Sequence, residues 1–514
     1  MSRTSRVVAG TVTGWVQFFL NLCLQLTIIP LLLKVAGQET LGAYAILIQV
    51  LGYIALVDLG LSATTMRFLS QAYGYDDNGE RFRNVLSIAR TCLLVTNIAF
   101  AILAVLFSVW LNDFVNLSEA LITDSRISIY LIAIWALIRS PWVVYTGGLI
   151  AIQKMASANM IYMLGNIVRL LFSIGFVLAG MGLVGLILAN ILAEVVSTIL
   201  FTGFFRKHYG KLKLAWKLPD QKLFKEILGF SLHILIINIS SLLIFSTDNM
   251  VVGFLYGAVA TSIYYSTQVP AQSGYNLILL ISRNASPAIN ELYARNDINS
   301  LQNVFIRLHR YTLLLASPFV IGLLLLNKTF IVLWVGPQQY AGDLMTWGLA
   351  GLALIMCISG VSNVFVQAKG NIRFLSMLTF FEGVLNLLLS LWLGRKIGIS
   401  GVLLATLFTH IPTTVYLQWR AQNDLKIGFL LFLRKSVLPA ASLSALAAIL
   451  LIVLTAIIHP VNWIAFIGTA LSFLFAYSLL CYRFALEGIE RTKLLNYLRQ
   501  IVAFIQKPHI VSEK

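Results

Sequence analysis

The chain of 514 residues is 59% hydrophobic and only 11% charged, whereas an ordinary soluble domain has about 25% charged residues. Apolar runs of about 20 residues recur along the whole sequence, which is typical of membrane-spanning helices. The net charge of +17 lies in short polar segments between these runs, so we expect contact with membrane lipids and no nucleic-acid partner. Composition therefore predicts an all-α integral membrane protein.

About fourteen transmembrane helices are predicted. The first follows a basic N-terminus without a small-residue cleavage site, so we interpret it as a retained helix and not as a signal peptide. In chain order the predicted spans lie near residues 9–33, 40–63, 86–110, 127–149, 156–179, 183–205, 228–251, 258–283, 307–327, 343–366, 371–393, 398–420, 432–457 and 461–483.

The distribution of Lys and Arg predicts the orientation of these spans. If the N-terminus lies in the cytoplasm, only five of the 37 Lys and Arg residues lie on the opposite side. These five are Lys34, Arg126, Lys328, Arg395 and Lys396. Arg139 and Arg169 fall deep within predicted spans, and the others fall in cytoplasmic segments or at the cytoplasmic ends of spans. This bias follows the positive-inside rule and predicts that both termini are cytoplasmic.

An internal repeat relates two halves of the chain. Tyr44 corresponds to Tyr264, and the segment GMGLVGLILAN (180–190) resembles GISGVLLAT (398–406). Two six-helix units with the same orientation are typical of two-lobed transporters. The predicted units are a first lobe (1–205), a basic cytoplasmic linker (206–227), a second lobe (228–420), two additional helices (421–483) and a cytoplasmic tail (484–514).

Polar side chains recur at helical spacing within the predicted spans, which is unfavourable in lipid unless they face protein or water. Basic and amide side chains suit an anionic substrate, and carboxylates suit a coupling cation. The substrate-binding candidates are Arg139, Arg169, Arg67, Arg283, Asn21, Gln268 and Gln272. The ion-coupling candidates are Asp58, Glu194, Asp248 and Glu382.

Purely structural roles are the alternative for the same residues. Arg139 or Arg169 can form an internal ion pair with Glu194. Arg67 and Arg283 lie near helix ends, where long side chains extend to the lipid headgroups. Asp58 and Arg67 are separated by about 13 Å along a helix, too far for a direct pair.

No catalytic motif is present. The sequence contains no Walker A motif, no HExxH and no GxSxG, which argues against an ATP-driven pump and against an enzyme. Its four cysteines lie far apart without metal-type spacing, so we expect no metal site. No cofactor is predicted, apart from H⁺ or Na⁺ as a coupling ion.

Three segments carry a family resemblance: DLGLS (58–62), STDNMVVGFLYGAVATSIYYSTQVP (246–270) and GISGVLLAT (398–406). They resemble the polysaccharide-transporter branch of the multidrug/oligosaccharidyl-lipid/polysaccharide (MOP) flippase superfamily. The resemblance implies a multi-pass translocase of the bacterial cytoplasmic membrane that flips undecaprenyl-diphosphate-linked oligosaccharides, such as O-antigen or exopolysaccharide units. It also implies glycan polymerases or ligases as partners.

Other members of the superfamily provide two alternatives. Peptidoglycan lipid II flippases also have fourteen helices, but they carry arginines within the first helix, which here has none after Arg6. Cation-coupled multidrug exporters usually have twelve helices and would require an acidic or apolar cavity. A non-transport role in the same pathway, such as a polymerase, would require a large external loop, and the longest predicted one covers only about residues 111–126.

Overall fold

The computed structural model describes residues 3–54, 56, 68–69, 72, 79–114, 117–152, 154–209, 216, 235–236, 238–244, 246–370, 372–485 and 491. Two candidate residues from the sequence, Asp58 and Arg67, lie outside this part of the chain.

Long α-helices make up nearly all of the described structure. In chain order they are α1 (Arg3–Val35), α2 (Gly37–Ile54), α3 (Glu80–Phe114), α4 (Glu119–Arg139), α5 (Val144–Ala151), α6 (Met155–Leu178), α7 (Gly182–Tyr209), α8 (Asp248–Ala294), α9 (Ile298–Val335), α10 (Asp343–Ala368), α11 (Ile372–Ile397), α12 (Ile399–Asp424), α13 (Leu438–Ile458) and α14 (Trp463–Leu480).

The prediction of about fourteen membrane crossings is confirmed. Twelve described helical segments are long and apolar enough to cross a bilayer. One of them, 238–294, contains a break at Gly257, where the backbone is not helical (φ 79°), and therefore accounts for two crossings. The 18-residue α2 is less apolar than these segments but is long enough for a further span, which gives fourteen candidates.

Helix boundaries differ from the predicted spans mainly at the charged ends. Helix α8 continues to Ala294 and α9 begins at Ile298, so both extend beyond the apolar runs that defined spans 258–283 and 307–327. Charged residues ended the predicted spans because they are costly in lipid, but they do not disfavour helix in water. Within the predicted span 127–149, the chain turns at Pro141 between α4 and α5, as expected where proline removes a helical hydrogen bond.

The internal repeat is visible in matched turns. Gly37 and Gly257 both have positive φ angles, 86° and 79°, which glycine adopts without strain. Seven residues later in each half stands a tyrosine, Tyr44 or Tyr264. A second matched pair of glycines lies in the turns that lead into α7 and α12. Gly182 (φ 46°) begins α7 in the first lobe, and Gly398 (φ 83°) precedes α12 in the second.

Each lobe has its own apolar core. Phe82, Leu149 and Phe205 belong to the core of the first lobe, and Met345 and Leu403 belong to that of the second. Helices α13 and α14 pack on α9 through a separate cluster, which includes a 2.7 Å hydrogen bond from the Tyr477 hydroxyl to the carbonyl of Leu314.

The two lobes contact each other closely where α2 meets α8. A Cβ atom added to Gly42 would lie 1.7 Å from the carbonyl oxygen of Ala258, and one added to Gly253 would lie 2.5 Å from Cδ1 of Ile46. We call these four residues the Gly42 gate. Beside it, the Trp334 indole donates a 2.8 Å hydrogen bond to the carbonyl of Leu26, so this end of the lobe interface is closed.

Candidate functional site

The first lobe contains a polar cavity of about 330 Å³ between α4, α6 and α7. It brings together residues that are far apart in sequence, because three helices each turn one polar face inward. Its polar lining includes Arg139, Tyr162, Asn166, Arg169, Asn190 and Glu194. Three of the predicted site residues therefore share one cavity.

Arg139 and Glu194 form an ion pair in this cavity. Nη1 of Arg139 lies 2.6 Å from Oε2 of Glu194, and the indole of Trp135 donates to the same oxygen at 2.6 Å. The side chains of Arg139 and Glu194 are 37% and 48% exposed. The ion pair therefore faces the cavity and is not buried in the protein interior. The pair also lines a second cavity of about 440 Å³ between α2, α3, α4 and α7.

Arg169 has a different environment. Its Nη2 atom donates a 2.6 Å hydrogen bond to Oδ1 of Asn21 on α1, while its buried Nε finds no acceptor among the described residues. No described carboxylate lies within ion-pair distance of Arg169. Tyr44 and Tyr265 lie close enough to Arg169 to interact with it electrostatically.

Arg169 lies near the lobe interface, because its chain neighbour Leu170 packs in the same cluster as Tyr265. Tyr265 lies on α8 in the second lobe, and Arg169 and Asn21 lie in the first. Such a cation within the membrane is unfavourable unless it is paired or solvated, and its free donor suits an anionic ligand.

The second lobe contains an acidic centre at Asp248. The carboxylate is buried and accepts hydrogen bonds from the Tyr264 hydroxyl at 2.6 Å and from Oγ1 of Thr406 at 3.2 Å. Asn386 on α11 bonds to Thr406 in turn. Among the described residues, no Lys, Arg or His lies within ion-pair distance of Asp248.

Glu382 belongs to a second buried group, one turn along α11 from Asn386. Its Oε1 atom lies 2.6 Å from Nδ1 of His410, and Nε2 of His410 lies 3.0 Å from the hydroxyl of Ser359. His410 follows Thr406 by one turn of α12. The two acidic groups of the second lobe are therefore neighbours along the facing surfaces of α11 and α12.

The remaining predicted site residues do not join these groups in the described structure. Gln268 is buried within α8, Gln272 is half-buried and Arg283 is exposed. Asn21, in contrast, contacts Arg169 directly. Sequence reasoning missed Tyr264, Thr406 and His410 as partners of the carboxylates; only Tyr264 had a signal, since it matched Tyr44 in the repeat.

An apolar groove of about 530 Å³ lies between α1, α8, α9 and α14. Leu, Ile and aromatic side chains form most of its wall, and five of its residues are aromatic. They are Trp15, Phe319, Phe330, Phe466 and Phe473.

Two helical repeats around polar centres have the architecture of the two-lobed class of membrane transporters. Residues 32–341 match a family described as "Polysaccharide biosynthesis protein". The match covers more than half of the chain, and the chain belongs to this family, within the polysaccharide-transporter branch of the MOP flippase superfamily.

Two curated proteins are similar along most of their length. The chain is 23% identical over 403 residues to a Shigella flexneri protein named "Putative O-antigen transporter", covering 74% of this chain and 90% of that protein. It is 22% identical over 503 residues to the "Uncharacterized membrane protein EpsK" of Bacillus subtilis (strain 168), covering 94% and 96%.

Solved structures share the fold. An inward-facing multidrug resistance MATE family transporter of the MOP superfamily superposes with a TM-score of 0.69 at 16% identity, covering 80% of this chain and 94% of that one. The lipid II flippase MurJ, in an inward closed conformation, gives 0.67 at 17% identity, covering 93% and 99%.

Proposed function

We propose that this protein flips a polyprenyl-diphosphate-linked oligosaccharide across the bacterial cytoplasmic membrane by alternating access of its two lobes. The relative named as an O-antigen transporter supports a glycan substrate. The observation that carries the proposal is the position of Arg169: a cation at the lobe interface, without a described carboxylate partner and with one free donor.

The diphosphate would bind at Arg169. A guanidinium forms charge-assisted hydrogen bonds with phosphate oxygens. Arg169 lines the cavity, and its Nε has no acceptor among the described residues. Arg139 would remain paired with Glu194 and contribute polar surface to the cavity. With two arginines and one glutamate, the cavity has the opposite charge from the one a cation-exporting multidrug transporter would require.

The sugars and the polyprenyl chain of the substrate match other surfaces of the protein. Sugar hydroxyl groups suit the amide and phenol groups of Asn166, Asn190 and Tyr162 in the first-lobe cavity. The polyprenyl chain suits the apolar groove of about 530 Å³, because burying apolar surface away from water is favourable. The headgroup would therefore cross between the lobes while the chain stays in an apolar environment.

A cation would couple at Asp248. The buried carboxylate has hydroxyl donors but no described basic partner, so binding of H⁺ or Na⁺ would neutralise it. Glu382, already bonded to His410, is the less available acid. We assign the Gly42 gate to the outer side, since the positive-inside distribution predicts a cytoplasmic N-terminus, and opening of the gate would release the substrate.

Substitution of Arg169 in a strain that lacks the native gene tests the proposal. We expect Arg169→Ala to abolish surface glycan at a normal membrane level of the protein, and Arg169→Lys to retain part of it. Tyr477→Phe, which removes only the hydroxyl that bonds to the carbonyl of Leu314 on α9, serves as the control. Normal surface glycan with Arg169→Ala, or drug sensitivity in place of a glycan defect, would reject the assignment.

A further inference from the structure

Two consecutive tyrosines of α8 connect the two candidate sites. Tyr264 is fully buried in the core of the second lobe and donates its hydroxyl hydrogen to Asp248 at 2.6 Å. Tyr265 packs instead into a cluster that spans both lobes. Neighbouring side chains on a helix point about 100° apart, so one turn of α8 reaches both sites.

The surroundings of Tyr265 belong largely to the first lobe. Its cluster includes Leu24 and Ile28 of α1 and Leu41 of α2. Tyr44 is half-buried in the same cluster, bonds to Asn190 of α7 and lies close enough to Arg169 to interact with it electrostatically. Tyr265 interacts in the same way with Tyr44 and with Arg169.

We infer that Tyr264 and Tyr265 are positioning residues that couple cation binding at Asp248 to anion binding at Arg169, an inference that rests on the proposed function of these two sites. A cation at Asp248 competes with the Tyr264 hydroxyl for the same carboxylate oxygen. Asp248 precedes the break of α8 at Gly257 and Tyr264 follows it, so the loss of this bond removes a tie between the two parts of α8. The part after Gly257, which Ser262 and Thr267 still attach to Gln339, can then turn against the part before it.

A turn of α8 changes the contacts of Tyr265 at the same time, because the two side chains share one rigid backbone segment. Tyr265 then leaves Tyr44 and Arg169, and the Gly42 gate, whose Ala258 lies less than two turns away on α8, loosens. Cation binding therefore favours the open gate and weakens the hold of Arg169 on an anion. Such coupling must be reciprocal: the anion weakens cation binding by the same factor.

Binding measurements on the purified full-length protein test this coupling. The probe is farnesyl diphosphate, a short polyprenyl diphosphate, titrated calorimetrically with saturating Na⁺ or with choline in its place, and in a second series at acidic or alkaline pH. Each ratio is divided by that of Asp248→Asn, because acid also protonates the phosphate of the probe. We expect Na⁺ or acid to weaken binding of the native protein by about fivefold or more, the usual lower range for coupled sites. Tyr264→Phe and Tyr265→Phe should each bring this ratio close to one, whereas Tyr477→Phe should leave it unchanged.

The outcomes separate the coupling from the proposed sites. If Arg169→Ala abolishes binding of farnesyl diphosphate but Tyr265→Phe keeps the native ratio, the diphosphate site stands and the coupling role of the tyrosines is overturned. A native ratio of one also overturns the coupling. If the native protein does not bind the probe, or Arg169→Ala binds it normally, the proposed diphosphate site fails and the coupling with it.

Discussion

Nη1 of Arg139 lies 2.6 Å from Oε2 of Glu194, an oxygen that also accepts the indole hydrogen of Trp135. These contacts tie α4 to α7 inside a polar cavity. Arg169, on the neighbouring α6, has no such carboxylate among the described residues. The two arginines therefore have different partners: Arg139 is held by a counter-ion, and Arg169 by the amide of Asn21.

The first prediction tests the pair of Arg139 and Glu194 by stability. Glu194→Gln should lower the melting temperature of the purified protein, because it leaves Arg139 without its counter-ion, and Arg139→Gln in the same chain should restore much of the loss. Both side chains are more than a third exposed, so we expect a coupling energy of only about 1 kcal/mol. A double variant as unstable as the sum of the single variants would show that the pair does not hold α4 and α7 together.

The second prediction concerns the Gly42 gate. Gly42→Val should prevent its closure, because even a Cβ atom would lie 1.7 Å from the carbonyl oxygen of Ala258. A cysteine placed at Ile46 in a cysteine-free background should then react faster with a water-soluble maleimide. Gly52→Val is the matched control on α2, since the nearest atom to its Cβ, at 3.7 Å, belongs to the flexible Leu242 side chain. Equal labelling in the Gly42 and Gly52 variants would contradict the closed gate.

The third prediction concerns the coupling ion. Asp248→Asn keeps the shape of the side chain and can still accept the hydrogen bond from Tyr264, but it no longer offers a negative charge. We expect the protein to remain folded while glycan transport in membrane vesicles loses its dependence on the H⁺ or Na⁺ gradient. Transport that still follows the gradient in a stable variant would remove Asp248 from the coupling mechanism.

The fourth prediction addresses the buried contact of Glu382 with His410. Only 2% of the Glu382 side chain and 9% of the His410 side chain are exposed. Removing one partner therefore leaves the other buried without this contact. His410→Leu should destabilise the protein by about 3 kcal/mol or more, measured by chemical unfolding, and addition of Glu382→Leu should recover part of it. If His410→Leu is as stable as the native protein, this contact contributes little to the second lobe.

The sequence predicted the helices and the repeat because both leave local signals. Apolar runs define the spans, Lys and Arg mark the loops, and glycines with positive φ, such as Gly37 and Gly257, recur at corresponding turns. The sequence therefore predicts the number of helices and the order in which they follow one another. Helix ends such as Ala294 were less predictable, because a helix can continue into water after its apolar run has ended.

The contacts within the sites were less predictable, since they depend on how helices rotate against each other. Both Arg139 and Arg169 had been candidates to pair with Glu194, and only packing of α4 against α7 selects Arg139. His410 had no distinguishing pattern in its apolar helix, although it contacts Glu382. The roles of Asp58 and Arg67 stay predictions, because both lie outside the described residues.

Transport of a defined lipid-linked glycan by purified protein in liposomes tests the central claim most directly. Glycosidase added outside would measure how much polyprenyl-diphosphate oligosaccharide crosses from the inner leaflet, with the native protein, Arg169→Ala and Tyr477→Phe compared at equal protein content. We predict crossing with the native protein and with Tyr477→Phe, and crossing no faster than in empty liposomes with Arg169→Ala. Equal crossing by the native protein and Arg169→Ala would contradict the account.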